Sequence, residues 1–357
     1  MGVTVALDVG SSAVAGAELR SQGAKVRLSR AELSPLPSGL MSDGEVIDPA
    51  GLSRELRAFW KLAGFRGKRV RLGVANQRVV VRTIEIPATD DMEARRALVH
   101  AEAEDKIPMP SDRSVVDFQP IERTVTDDGA VDRIVVVAAH RDMVDGVVSV
   151  VREAGLVPTG IDLEAFALLR ALLPPPSVLD TGSPDTPAQA VCHIGGQLTN
   201  VIVSVDRRCH FTRLIGFGGA KLTTAVAEHT GLDSDAAEKL KVGSGLLGPA
   251  PEGWDPELVT ACQRALAQSV RPLAEEISRS LGYYHSQPGS RPIDRLVLIG
   301  GTARCAGIDR YLAQGLNLPV HLGDPLGSLD DAAPVAPDVA ARAAVAVGLA
   351  LDSADAA

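Results

Sequence analysis

The residues with the clearest chemical potential are Asp8, Gly10, Ser11 and Ser12, in the stretch VTVALDVGSSAVAGAEL (Val3–Leu19). Asp8 follows apolar Val5 and Leu7, and Gly10-Ser11-Ser12 forms a corner before the chain turns apolar again. A glycine there turns the backbone tightly and leaves N–H groups pointing outward, a nest that can hold a phosphate. An aspartate at a strand end can order Mg2+, directly or through water. An ordinary hairpin, with Asp and Ser capping its turn, uses the same residues.

A second copy favours the phosphate reading. QAVCHIGGQLTNVIVSV (Gln189–Val205) again reads strand, glycine corner, strand. Gly195 stands where Gly10 stood and His193 where Asp8 stood, and Gly196 and Gln197 complete the corner. A third glycine turn, Gly300-Gly301-Thr302, follows the strand Arg295–Ile299. The helix expected over Ala220–Thr230 opens from Gly218-Gly219, where exposed N–H groups and the helix dipole suit an anion. Such duplication predicts two similar lobes that clamp a nucleotide.

The three glycine stretches resemble the phosphate-1, phosphate-2 and adenosine segments of the actin, Hsp70 and sugar-kinase superfamily. AEDKIPMPSDRSVVDFQPI (Ala103–Ile121) narrows this, as do Gly160–Leu172, Ile215–Gly243, Glu275–Gly289 and Ala344–Leu351. In this order they resemble the PilM-like type IV pilus assembly proteins, relatives of the division protein FtsA, over about Val3 to Leu351. The resemblance implies an α/β, actin-like (ribonuclease H-like) two-lobed fold with an inserted small α/β subdomain of the FtsA/PilM type. It implies ATP and Mg2+ as ligands. The phosphates would lie between Gly10–Ser12 and Gly195–Gln197, near Gly218 and Gly219, with Asp8 ordering Mg2+ through water. The adenosine would rest on Gly300, Gly301 and Thr302, with Glu238 and Lys241 reaching the ribose or base edge.

Two departures weaken that site. Ala15 stands where the family usually carries Lys, and His193 where it usually carries Asp. Mg2+ prefers hard oxygen donors to imidazole. Phosphoryl transfer depends on positioning and charge stabilisation, so weak nucleotide binding and slow or absent hydrolysis are expected, with no catalytic residue assigned. A protonated His193 could instead touch a phosphate, or the side chain could merely fill the strand end. The partner implied is the cytoplasmic N-terminal peptide of a PilN-like inner-membrane protein. Its groove would lie around Val79–Ile86 and Lys106–Phe118, with other pilus-machine components at the cytoplasmic face. An FtsA-like division protein, or a sugar kinase or active ATPase of the superfamily, is the alternative.

Bulk properties agree. At 357 residues, two lobes are the natural expectation, and 45% apolar content supports a globular chain. A net charge of −9 argues against a nucleic-acid protein. Cys192, Cys209, Cys262 and Cys305 form no CxxC pair, so neither zinc nor a redox couple is signalled. No segment reaches the roughly 18 apolar residues of a membrane span, and the N-terminus lacks a signal-peptide pattern. The expectation is a cytoplasmic protein, with no membrane insertion of its own, held at the inner membrane through partners.

The elements that must position the site follow from periodicity and punctuation. Strands are expected over Lys25–Leu33, Val70–Ala75, Val79–Ile86, Val115–Ile121, Arg133–Ala138 and Cys209–Ile215. Ser42–Pro49 reads as loop, and Asp90 with Glu93 as a capping box. Ile161–Leu173 and Val339–Leu351, apolar nearly all round, read as buried crossing helices. Pro174–Pro187 reads as linker, and Asp127-Asp128-Gly129 as an exposed turn. The lobes are expected over 1–187, with the insertion at about 86–158, and over 188–338. The second crossing helix is expected over 339–351.

Overall fold

A computed structural model describes residues 2–23, 25–126, 129–174 and 186–351. Most of Pro174–Pro187, and Asp127-Asp128, lie outside the described residues. The first lobe opens with a meander of β1 (Gly2–Val9), β2 (Ala13–Gln22) and β3 (Lys25–Pro35). The expected loop holds a small hairpin instead, β4 (Met41–Ser42) and β5 (Glu45–Val46). Its two-residue turn is Asp43-Gly44, with φ of 49° and 80°. Paired positive φ values are what Asp-Gly supplies in a tight hairpin, so the signal was present in the sequence. Helix α1 (Pro49–Ala63) is capped by Asp48, whose carboxylate accepts from the Gly51 amide. Strand β6 (Arg69–Val74) then pairs parallel with β1.

The insertion is a second sheet. It holds β7 (Val79–Pro87), α2 (Met92–Lys106), β8 (Ser114–Thr126) and β9 (Gly129–His140), in the strand order β7-β9-β8. Asp91, not Asp90, caps α2, accepting from the Glu93 and Ala94 amides. Asp90 instead pairs with Arg123, which also grips buried Asp132 at 2.6 Å. Helix α3 (Arg141–Glu153) packs Val147, Val150 and Val151 against Leu52 and Leu56 of α1, in the first-lobe core.

Strand β10 (Val157–Leu163) corrects the first expected crossing helix. Gly160–Leu163 pairs parallel with β6, and helix α4 (Glu164–Leu172) begins only after it. The apolar run Ile161–Leu173 fits a buried strand as well as a buried helix, and pairing with β6 decided its first part.

The second lobe repeats the pattern with β11 (Ala188–Ile194), β12 (Thr199–Val205) and β13 (Arg208–Ile215). Helices α5 (Gly219–Thr230), α6 (Ser234–Ser244) and α7 (Pro256–His285) follow. Asp255 caps α7, and Pro256 sits at its start. Strand β14 (Ile293–Ile299), α8 (Ile308–Leu316) and β15 (Val320–Leu322) complete the sheet. The strand β16 (Asp331–Ala332) returns to pair with β3 of the first lobe. The run expected as one helix is two, α9 (Pro337–Arg342) and α10 (Ala344–Leu351), broken at Ala343. The sheet orders β10-β6-β1-β2-β3 and β15-β14-β11-β12-β13 match position for position.

Helices α4 and α10 lie between the two sheets. Their core joins Ala6 and Ala17 of one sheet to Val191, Ile202 and Val297 of the other. A methyl group at Gly348 would lie 1.8 Å from the Ala167 carbonyl oxygen, so only glycine lets α10 cross α4 this closely. Gly348→Ala should therefore destabilise the protein by about 3 kcal/mol or more in urea titration. Gly282→Ala, where an added methyl meets nothing within 4 Å on α7, should be neutral or stabilising by up to about 1 kcal/mol.

Candidate nucleotide site

The two corners are built alike. Val9 pairs with Val14 at the end of the first hairpin, and Ile194 with Thr199 at the end of the second. The Gly10 amide donates to the Ala13 carbonyl at 3.0 Å, and the Gly195 amide donates to the Leu198 carbonyl at 2.9 Å. Each turn thus consumes its first amide, leaving those of Ser11, Ser12, Gly196 and Gln197 for any anion. The corners also touch. A methyl group at Gly196 would lie 2.7 Å from the Ser12 hydroxyl and 2.8 Å from that of Ser11. A phosphate between them requires the corners to part.

The start of α5 differs from its sequence reading. Its amides were expected to face an anion. The Gly219 amide instead donates to the Gly195 carbonyl at 2.9 Å, and the Ala220 amide to the Gly196 carbonyl at 2.8 Å. Gly218 permits this, because a side chain there would strike the Gly196 carbonyl. The helix dipole is spent on the second corner and fixes it.

Glu238 and Lys241 share a compact network. The buried Lys241 ammonium donates to Glu238 Oε2 at 2.5 Å, to Thr223 Oγ1 at 2.9 Å and to the Gly219 carbonyl at 3.2 Å. Its three N–H groups are all used inside the lobe, so Lys241 supports the site wall. Glu238 is half exposed and keeps an open side. Gly300, Gly301 and Thr302 lie against the second corner: Thr302 Oγ1 is 3.5 Å from the Gly195 carbonyl. Arg342, at the end of α9, lies beside Gly301. Sequence reading missed it because the run around it is apolar.

Asp8 lines the cleft with Glu164, His193 and Asn200. Asp8 Oδ1 is buried without a hydrogen-bond partner. Burial pushes its pKa up to about 7, and Glu164 is raised well above the usual carboxylate range by burial and then by the charge of Asp8. Asn200 Nδ2 donates to Glu164 Oε2 at 3.3 Å. Sequence reading sought a second carboxylate in the second corner; the fold supplies it from the start of α4. The signal was an acidic residue opening an apolar helix, GIDLEAF. Asn200 pairs with His193 across the hairpin as Ala15 pairs with Asp8, so hairpin register would have found it. Burial and the charge of Asp8 on Glu164 favour protonation of the pair. An unpartnered carboxylate oxygen suits a hard divalent cation or its water. The deprotonated member can accept a proton from water. Among the described residues, no three acidic, histidine or cysteine side chains cluster as metal ligands.

His193 does not act as the protonated phosphate partner once considered. Its ring packs near Gly195 and Gly300, and burial lowers its pKa to about 4. It is neutral at physiological pH and fills the strand end. Ala15 is buried in β2, and among the described residues no cation lines the cleft beside Asp8 in place of the missing lysine. The front of the cleft carries a clasp that the sequence did not reveal. The Asp43 amide, at the β4–β5 tip, donates to Gln197 Oε1 at 2.9 Å across the lobes. Asn76 Nδ2 donates to the Asp43 carbonyl at 2.9 Å, and Arg78 pairs with Glu45 and Asp142.

Of the segments expected to line the peptide groove, Val79–Ile86 lies in β7 and Lys106–Phe118 runs from the end of α2 into β8; β7 and β8 are opposite edges of the insertion sheet with β9 between them. A groove runs beside β7 toward β13. It has a volume of about 540 Å3 and is lined by Val79–Arg82 and Thr212–Gly216.

A family model described as type IV pilus assembly protein PilM matches residues 6–354. The chain belongs to the PilM family. A solved PilM-PilN type IV pilus biogenesis complex is 26% identical to this PilM-family chain. The match covers 98% of each chain with a TM-score of 0.79. MreB5 of Spiroplasma citri bound to ADP shares the fold at 14% identity, covering 97% of this chain and 94% of that one, with a TM-score of 0.53. The fold is the actin-like two-lobed one. The cell division protein FtsA of Agrobacterium fabrum is 31% identical over 153 residues, 39% of this chain and 34% of that protein. The chain thus spans about a third of the length of the curated relatives it matches. Among the described residues no helix is long and apolar enough to cross a membrane.

Asp8 keeps its proton to about pH 7 when folded and loses it near pH 3.8 when unfolded. Between those values the folded state binds the extra proton, so this carboxyl's contribution to stability falls as pH rises. Relative to Asp8→Asn, the unliganded protein should lose about 2 kcal/mol of unfolding free energy between pH 5 and pH 7 in urea titrations. A constant difference between the two proteins would overturn the buried-carboxyl account.

Proposed function

We propose that this chain is a nucleotide-binding scaffold of type IV pilus, or related secretion, assembly. It binds ATP with Mg2+ between its lobes and the cytoplasmic N-terminal peptide of a PilN-like inner-membrane protein on its insertion. Likeness to the PilM–PilN complex over the whole chain is the observation that carries the reading. The protein would work at the cytoplasmic face of the inner membrane, held there through that partner.

The residues fit the ligand in kind. Asp8 Oδ1 and Glu164 offer hard oxygens, and Ser11, Ser12, Gly196 and Gln197 offer donors to phosphate. Mg2+, when bound, supplies the positive charge that neutralises the phosphates. Asp8 must shed its proton to meet it, which favours binding above neutral pH. Gly300, Gly301 and Thr302, with Arg342 and Glu238, form the adenosine side. Glu164, ordered by Asn200, is placed to orient water or accept its proton. Ala15 and neutral His193 lack the charge and the extra carboxylate that fast turnover requires, so hydrolysis is slow. Parting the corners for phosphates strains the Asp43–Gln197 clasp. Through Asn76 and Arg78, that strain reaches β7, whose free edge and adjoining groove suit an extended peptide.

Calorimetric titration tests both ligands. Mg-ATP and a synthetic PilN-like N-terminal peptide should each bind at micromolar strength, with no phosphate released over hours. His193→Asp should raise phosphate release at least about tenfold at saturating Mg-ATP, on the order of one lost electrostatic contact. Failure of the peptide to bind, with wild-type turnover near one per second, would overturn the scaffold reading.

A further inference from the structure

The chain is acidic overall, yet the end of the first-lobe sheet opposite Asp8 is basic. Strand register brings this end together. Val3 pairs with Arg20, Arg20 with Arg27, and Val157 with Arg69. Hydrogen bonds pin the end of α1 and the loop after it to the same edge: Arg30 donates to the Ala63 carbonyl at 2.8 Å, and Trp60 Nε1 to the Gly67 carbonyl at 3.1 Å. Exposed Lys25, Arg27, Lys61, Arg66, Lys68 and Arg69 thus share one surface. Among the acids nearby, Glu18 is buried against Arg20 and the Arg66 amide, Glu32 pairs with Arg30 at 3.3 Å, Asp330 accepts from the Val26 amide at 2.7 Å, and exposed Asp331 lies in register with Arg27. The exposed cations still outnumber them.

Apolar side chains stand among these cations. Leu62 is 84% exposed, Val157 49% and Val3 47%. We infer that this basic end is a docking surface for an anionic phospholipid bilayer. Lys and Arg next to anionic headgroups gain about 1 kcal/mol each, and Leu62 can enter the interface between them. The net charge of −9 does not prevent this, because at ordinary salt charges beyond about 10 Å are screened and only the near face is felt. A nucleic-acid ligand fits less well. Of the aromatics at this end, Phe65 is buried and Trp60 is tied to Gly67 and packed on it, and Leu62 finds no counterpart on a phosphate backbone. Docked this way, the protein holds the nucleotide cleft away from the bilayer.

Co-sedimentation of the full chain with lipid vesicles tests the assignment. Vesicles of phosphatidylcholine with a third phosphatidylglycerol should bind it at low salt and release it as salt rises, and pure phosphatidylcholine should not. Lys68→Glu with Arg69→Glu should weaken binding by roughly 25-fold or more, about fivefold per cation lost. Leu62→Gln, a surface change that spares the fold, should weaken it several-fold without altering the salt dependence. Equal binding to neutral vesicles, or binding that the charge reversal leaves intact, overturns the proposal. So does capture of DNA or polyglutamate in place of vesicles. The surface lies at the far end of the sheet from Asp8, so such a failure leaves the nucleotide and peptide readings standing.

Discussion

The structure depends on the crossing of α4 and α10 between the two sheets. Both helices are apolar on nearly every side, because α10 lies between the first-lobe sheet and α4, and α4 between α10 and the second-lobe sheet. Gly348 lies directly on the Ala167 carbonyl, which sets how closely they cross. That crossing fixes the angle at which the lobes meet, and therefore the meeting of the Gly10–Ser12 and Gly195–Gln197 corners. It also delivers function: α4 begins at Glu164, so the element that packs the core also carries a carboxylate into the cleft.

The site is electrostatically unbalanced. Asp8 and Glu164 face one another in a pocket whose back wall is apolar, and no cation among the described residues offsets them there. Lys241 and Arg342 lie toward Gly219 and Gly301, and Lys241 is consumed by Glu238, Thr223 and Gly219. Burial favours the protonated form of these carboxyls, and a divalent cation can take the place of a proton between them. In the proposed scaffold, ligand binding would arrange lobes and insertion rather than drive rapid turnover, as a ligand shifts a conformational equilibrium.

Closure has a physical route outward. Gln197 in the second corner is joined to the β4–β5 tip, that tip to Asn76, and Arg78 to Glu45 and the start of α3. The chain then enters β7 at Val79, at the edge of the insertion sheet. A change at the phosphate corners therefore has a short path of polar contacts to the strand that borders the open groove.

Much of this was legible in the residues. The two corners, the third glycine turn and the two apolar runs fixed a duplicated, two-lobed architecture, because glycine spacing and apolar periodicity are local properties of a chain. Asp255 and Pro256 marked a helix start for the same reason. Asp43-Gly44 was equally local, yet its hairpin is only two residues a side and gives no periodicity to read. What stayed hidden was non-local. The division of Ile161–Leu173 between strand and helix was decided by pairing with β6. The amides opening α5 were taken by carbonyls more than twenty residues away. Glu164, Asn200 and Arg342 joined the site only once the sheets and crossing helices had stacked, and burial then set the protonation of Asp8 and His193. Residue types determined which chemistry the chain could hold. Only packing decided which charges remained unpaired to perform it, since desolvation and partnership belong to the assembled structure rather than to any segment.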